Sequence, residues 1–90
     1  MEKSEITEIV NNILIEEFEI EESEIKAEAN LFDDLELDSL DGIDLIVALE
    51  KAFKAKLGSE WANFKIEEDK AKEFKTVGNI YDGIDSIINV

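Results

Sequence analysis

The chain has 90 residues and a net charge of −15, from 24 acids against 9 lysines, with no cysteine, histidine, arginine or proline. One small domain, 1–90, is the expectation. The missing residue types exclude disulfides, thiol and imidazole catalysis and Cys/His zinc sites, and the acid excess argues against binding nucleic acid or an anionic membrane by charge. The excess is local: residues 1–50 hold 17 acids and 2 lysines, whereas residues 51–90 hold 7 of each. Basic partners and fast, salt-sensitive encounters suit such a charge distribution.

Ile6, Ile9, Val10, Ile13, Leu14 and Phe18 recur at helical spacing and predict a first helix over about 4–18, starting near Ser4. Its charged, periodic beginning does not resemble a leader, and no apolar run is long enough to span a membrane. A cytoplasmic monomer without membrane insertion is therefore expected. Residues 19–37 read as a long ordered loop, with a short helical turn near Ser23 and apolar side chains from Ile20 to Leu37 to pin it down. A second helix is predicted over 39–57, stopped by Gly58.

Trp61 and Phe64 stand three apart, so one turn presents them together. They predict an ordered turn packed on the end of the second helix or on the third. The charged stretch 67–74 predicts that short third helix. Thr76 caps a last helix carrying Val77, Ile80, Tyr81, Ile84 and Ile88 on one face. Strand-like alternation is absent. The expected fold is all-α: a small helical bundle with three main helices, a short third helix before the last one, and a long loop between the first two.

The second helix carries the chemistry. Asp38 or Ser39 can cap it, and Asp41 and Asp44 suit the positive end of its dipole. Wrapped at roughly 100° per residue, Leu45, Ile46, Leu49, Ala52 and Phe53 form a core stripe. Leu40, Ile43 and Val47 gather nearly opposite, with Asp44 among them and Asp41 and Glu50 on the flanks. This second stripe is either another buried face or a docking face for a basic partner.

Ser39 is a cap alone, a nucleophile or an attachment point. The nucleophile reading needs a base, and no histidine is available. An EF-hand with its glycine at Gly42 would put Leu37 and Ala48 where oxygen ligands belong, so no metal site is expected.

Asp38-Ser39-Leu40 followed by Asp41, Asp44 and Leu49-Glu50, within LFDDLELDSLDGIDLIVALEKAF, resembles the modification site and second helix of acyl carrier proteins. The similarity extends through Thr76-Val77 to the last helix. The resemblance implies a carrier, not an enzyme, that holds acyl groups as thioesters on a 4′-phosphopantetheine arm at Ser39. It implies delivery to enzymes of fatty acid, lipid or polyketide-type biosynthesis. Its partners would be a phosphopantetheinyl transferase and basic-faced synthases, ligases and transferases. By position, Asp38, Leu40, Asp41, Ile43, Asp44, Val47 and Glu50 would meet them. Phe32, Leu35, Leu45, Leu49 and Tyr81 would line an acyl pocket. Glu36-Leu37 stand where the family usually has small residues, and the segment before Val77 is longer than usual; both point to a specialised member. The runner-up readings are an aminoacyl or D-alanyl carrier, and an acidic interaction module without a prosthetic group.

Overall fold

The computed structural model describes residues 1–89; Val90, the last residue of the expected domain, lies outside the described residues. Helix α1, Lys3–Phe18, buries Ile6, Val10, Ile13 and Leu14. Ser4 does not cap it. Glu2 holds that position without a side-chain bond, so burial of the stripe sets this start. At the other end Glu19 takes a left-handed backbone (φ 56°) and donates its N–H to Leu14 O, closing the helix as glycine often does.

Helix α2, Ser39–Leu57, has the predicted bounds and buries Leu45, Leu49 and Phe53. Gly58 ends it at φ 91°, a conformation that glycine adopts without steric cost. Helix α3 spans only Glu68–Ala71, shorter than expected. Its charged sequence offers no apolar stripe to bury, and Ile66 and Phe74 are buried on either side of it instead. Helix α4, Val77–Ile88, starts with a reciprocal cap: Thr76 Oγ1 accepts from the Asn79 N–H, and Asn79 Oδ1 accepts from the Thr76 N–H.

Helix α1 packs against both α2 and α4, and Val10, Leu14, Leu49, Phe53, Ile80 and Ile84 are fully enclosed. No strand occurs among the described residues. The all-α bundle expected from the spacing is thus observed.

The long loop is a strap. A 3₁₀ turn, Glu22–Glu24, stands where a helical turn was expected. Further on, Asn30 and Thr76 form an isolated antiparallel bridge. Leu31 N–H donates to Lys75 O, Val77 N–H to Ala29 O and Gly78 N–H to Ala27 O. These bonds tie the strap to the start of α4, while Leu31, Leu35 and Leu37 are buried beneath it.

The segment between α2 and α3 is also ordered. A 3₁₀ turn, Ser59–Trp61, leads to a buried Phe64. The Phe64 ring centroid lies 6.3 Å from that of Phe53 and 6.1 Å from that of Trp61, which meets it edge-on. The turn therefore packs on the end of α2, and Trp61 is left half-buried.

Candidate functional site

Ser39 is the first residue of α2 and is exposed. Asp38 makes the cap: its carboxylate accepts from the Asp41 N–H at 2.9 Å, and the Asp41 carboxylate accepts from the Asp38 N–H at 3.2 Å. The serine is thereby held at the helix start without itself serving as the cap. The approach to it is tightly specified. Leu37 is buried and donates its N–H to Leu31 O at 3.0 Å. Glu36, just before it, takes a left-handed backbone with φ 59°. That conformation costs a non-glycine residue roughly 1–2 kcal/mol, and the anchored strap on both sides holds it.

Two features flank the serine. The first is the outer face of α2. Leu40, Ile43 and Val47 are 70%, 61% and 42% exposed, so among the described residues this second stripe is not a second core face. Asp38 and Asp44 are exposed beside it and Asp41 is half-buried in the cap. The three ion pairs among the described residues, Lys3–Asp82, Lys70–Glu73 and Lys72–Glu68, leave these three aspartates uncompensated. Glu50 departs from the expected ring. It is half-buried, and its carboxylate accepts the Ile66 N–H at 2.9 Å. The main chain entering α3 needs an acceptor there, and Glu50 supplies it.

The second feature is a cleft of about 290 Å³ between the first turns of α2, the strap and α3, with Ser39 in its lining. Leu31, Leu45 and Phe74 supply buried apolar wall; Phe32, 45% exposed, lies over Gly42, whose missing side chain leaves room for the ring. Of the five residues expected around an acyl pocket, the cleft gathers Phe32 and Leu45. Leu35 and Leu49 lie instead in the closed core, and Tyr81 turns to α1, where its hydroxyl donates to Asn11. Phe74, Ala71 and Lys72 line the cleft without having been foreseen. The one sequence signal for them was an isolated phenylalanine two residues before the Thr76 cap. A larger groove, about 630 Å³, runs between α1 and α2 past Ile9, Ile13, Ala48 and Ala52. It contains none of the residues around Ser39.

A family model described as a phosphopantetheine attachment site matches residues 8–84. The chain belongs to the acyl carrier protein family. It is similar to the acyl carrier proteins of Coprothermobacter proteolyticus, at 35% identity over 96% of this chain and 94% of the relative, and of Porphyromonas gingivalis, at 35% over 91% and 94%. Acyl carrier protein 2 of Ralstonia nicotianae is 31% identical over 98% of both chains. The molecule is a carrier that tethers acyl groups through covalently attached 4′-phosphopantetheine. Membership of the acyl carrier family implies dealings with a phosphopantetheinyl transferase and with acyl-processing enzymes. No helix among the described residues is long and apolar enough to cross a membrane.

The residues around Ser39 fit the prosthetic group. An exposed hydroxyl stands at the positive end of a 19-residue helix, which favours a phosphodiester anion. An apolar cleft opens directly beside it.

Proposed function

We propose that Ser39 is the attachment point of the arm, and that the single domain works as a monomeric carrier with no catalytic group of its own. The observation that carries this reading is the division of labour at the start of α2. Asp38 caps the helix, and Ser39 is left exposed at its first position. When bound, the arm supplies the thiol that a chain without cysteine lacks. The protein residues do the rest. Asp38 and Asp41 fix the helix start, the α2 dipole favours the phosphodiester, and the strap holds the approach rigid.

The surface presented to enzymes is proposed to be Asp38, Leu40, Asp41, Ile43, Asp44 and Val47. Exposed apolar residues supply its centre and carboxylates its edge, which suits a basic-faced transferase or synthase. Glu50 is left out, because its carboxylate is engaged by Ile66. The left-handed Glu36 and the added turn around Trp61 support a carrier dedicated to one acyl pathway.

The test is mass spectrometry after incubation with coenzyme A and a phosphopantetheinyl transferase. One arm per chain is expected on the wild type and none on Ser39→Ala, with both proteins folded alike by circular dichroism. An arm on Ser39→Ala would overturn the assignment of the site. No arm on either protein would favour an acidic interaction module.

A further inference from the structure

Three alanines open the groove between α1 and α2. Wrapped at roughly 100° per residue, Ala48, Ala52 and Ala55 share one flank of α2, about 110° round from the stripe of Leu40, Ile43 and Val47. Their methyls leave a space of about 630 Å³ unfilled between the two helices, and Ile9 and Ile13 of α1 supply its other wall. Ile13 is buried, Ile9, Ala48 and Ala52 are half-buried, and Ala55 is exposed. Ala48, the floor residue closest to Ser39 in the chain, is already a rise of about 14 Å away along the helix.

The groove has a polarity. A neighbouring hollow brings Glu17 and Phe18 together with Asp44 and Val47, so the end of α1 lies beside the earlier part of α2 and the two helices run antiparallel. Glu16 and Glu17 therefore stand at the Ala48 end of the groove, Lys56 stands at the Ala55 end, and Lys51 lies between. Among the described residues none of these four belongs to an ion pair. Opposite charges line one apolar groove without meeting across it. Glu17, Ala48 and Lys51 belong to both the groove and the hollow, which joins the groove to Asp44 and Val47 of the proposed docking face.

We propose that this groove receives an amphipathic helix of a partner protein. Its apolar stripe lies over Ala48, Ala52 and Ala55, its basic end meets Glu16 and Glu17, and its acidic end meets Lys56. From Ala48 to Ala55 the floor rises about 10 Å, two helical turns, which suits apolar residues spaced i, i+3 or i+4, and i+7. An acyl chain would match the floor and leave both charged ends unanswered. A second copy would set −15 against −15, and self-repulsion opposes it. Because the groove lies beside the face around Ser39 and not on it, a helix held there anchors the carrier while that face stays open to a second enzyme.

The probe is a lactam-bridged synthetic helix of about 14 residues, long enough to hold its shape. It has one leucine stripe, glutamates in its first turn and lysines in its last. Titrated into isotope-labelled protein, it should shift the amides of Ala48, Ala52 and Ala55 and saturate. Ala55 is exposed, so Ala55→Leu fills the groove without entering the core, as circular dichroism checks. It should weaken binding about tenfold and still accept an arm from the transferase. Lys56→Glu should weaken binding by up to about fivefold. Lys75→Glu, with the same net charge and outside the groove, should not. A second helix with lysines in place of the glutamates should reverse that order and prefer Lys56→Glu.

A helix that does not saturate overturns the proposal, as does an Ala55→Leu affinity equal to wild type or an equal response of Lys56→Glu and Lys75→Glu. Groove shifts on concentrating the protein alone would assign the groove to a second copy. Octyl glucoside binding there more tightly than the helix, whatever the charge at position 56, would assign it to an acyl chain. Either result also overturns the proposal. Ser39→Ala should bind the helix as wild type does, so the arm and the groove are tested separately.

Discussion

Two glycines show how single positions divide the work in this protein. A methyl at Gly42 would sit 3.8 Å from the Phe32 ring, an ordinary contact, at the end of the first turn of α2. Gly42→Ala is expected to stabilise the fold by about 0.5–1 kcal/mol, because alanine loses less backbone freedom in a helix. A methyl at Gly83 would lie 2.4 Å from Phe74 Cε1 and 3.0 Å from Cζ. Both residues are buried, so the ring can give way only against packed neighbours or into the cleft it lines. Gly83→Ala is expected to cost about 1–3 kcal/mol, as overpacked cores do, and to push Phe74 towards the cleft. Urea denaturation of the two variants checks the opposite signs. The place of Ser39 at the start of α2 was legible in the sequence because its signal is local: a capping residue, a helix start and an acidic surround. Gly83 was not, because its role depends on a phenylalanine from another element. Glu50 misled for a related reason. Its angular position on an isolated helix points to the rim, and only the course of residues 58–66 gives its carboxylate an internal partner.

Among the elements, the three long helices were legible from their apolar spacing, since burial of one stripe decides each. The strap was harder to read. Its order comes from main-chain bonds to the start of α4, such as Leu31 N–H to Lys75 O, and a pairing between distant residues leaves no local pattern. Polar side-chain contacts between α1 and α4 were equally invisible. Tyr81 donates to Asn11, and Lys3 pairs with Asp82. Burial raises the Tyr81 pKa, and the bond to Asp82 raises that of Lys3. In both cases the folded state holds the proton more tightly than the unfolded chain. The stability they contribute is complete below the unfolded values, near pH 10, and is lost as pH climbs through the raised ones. The thermal midpoint is therefore expected to fall above about pH 10, in step with phenolate absorbance from this single tyrosine. In Tyr81→Phe the fall becomes shallower and Lys3 accounts for what remains. An unchanged alkaline profile in that variant would remove Tyr81 from the account.

At the scale of the whole molecule, the acids proposed to recruit partners also work against the fold. The protein measures 35 × 24 × 21 Å. At 0.01 M salt the screening length is about 30 Å, so nearly every carboxylate repels every other; at 0.15 M it is about 8 Å, and only neighbours interact. Residues 1–50 carry 17 acids against 2 lysines, and of these lysines Lys3 forms an ion pair with Asp82 of α4. Added salt should accordingly raise the thermal midpoint. Among the described residues Asp44 lies exposed beside Ile43 and Val47 without an ion-pair partner, so it is placed to take part in both effects. Asp44→Lys reduces the net negative charge by two. At low salt it should be more stable than wild type, an advantage that shrinks as salt rises. Association with a basic-faced enzyme should slow by up to about tenfold, a part of the roughly 10–10³-fold that electrostatic steering supplies. The salt dependence of that rate should flatten. Ile43→Ala tests the apolar centre of the same face: its loss should speed dissociation and leave the salt slope alone, because an apolar contact acts after encounter. Stopped-flow association with the phosphopantetheinyl transferase at several salt concentrations, beside thermal melts of the same samples, measures both. If Asp44→Lys were more stable yet associated as fast as wild type at low salt, the acids would act on the fold alone and the docking face would lie elsewhere.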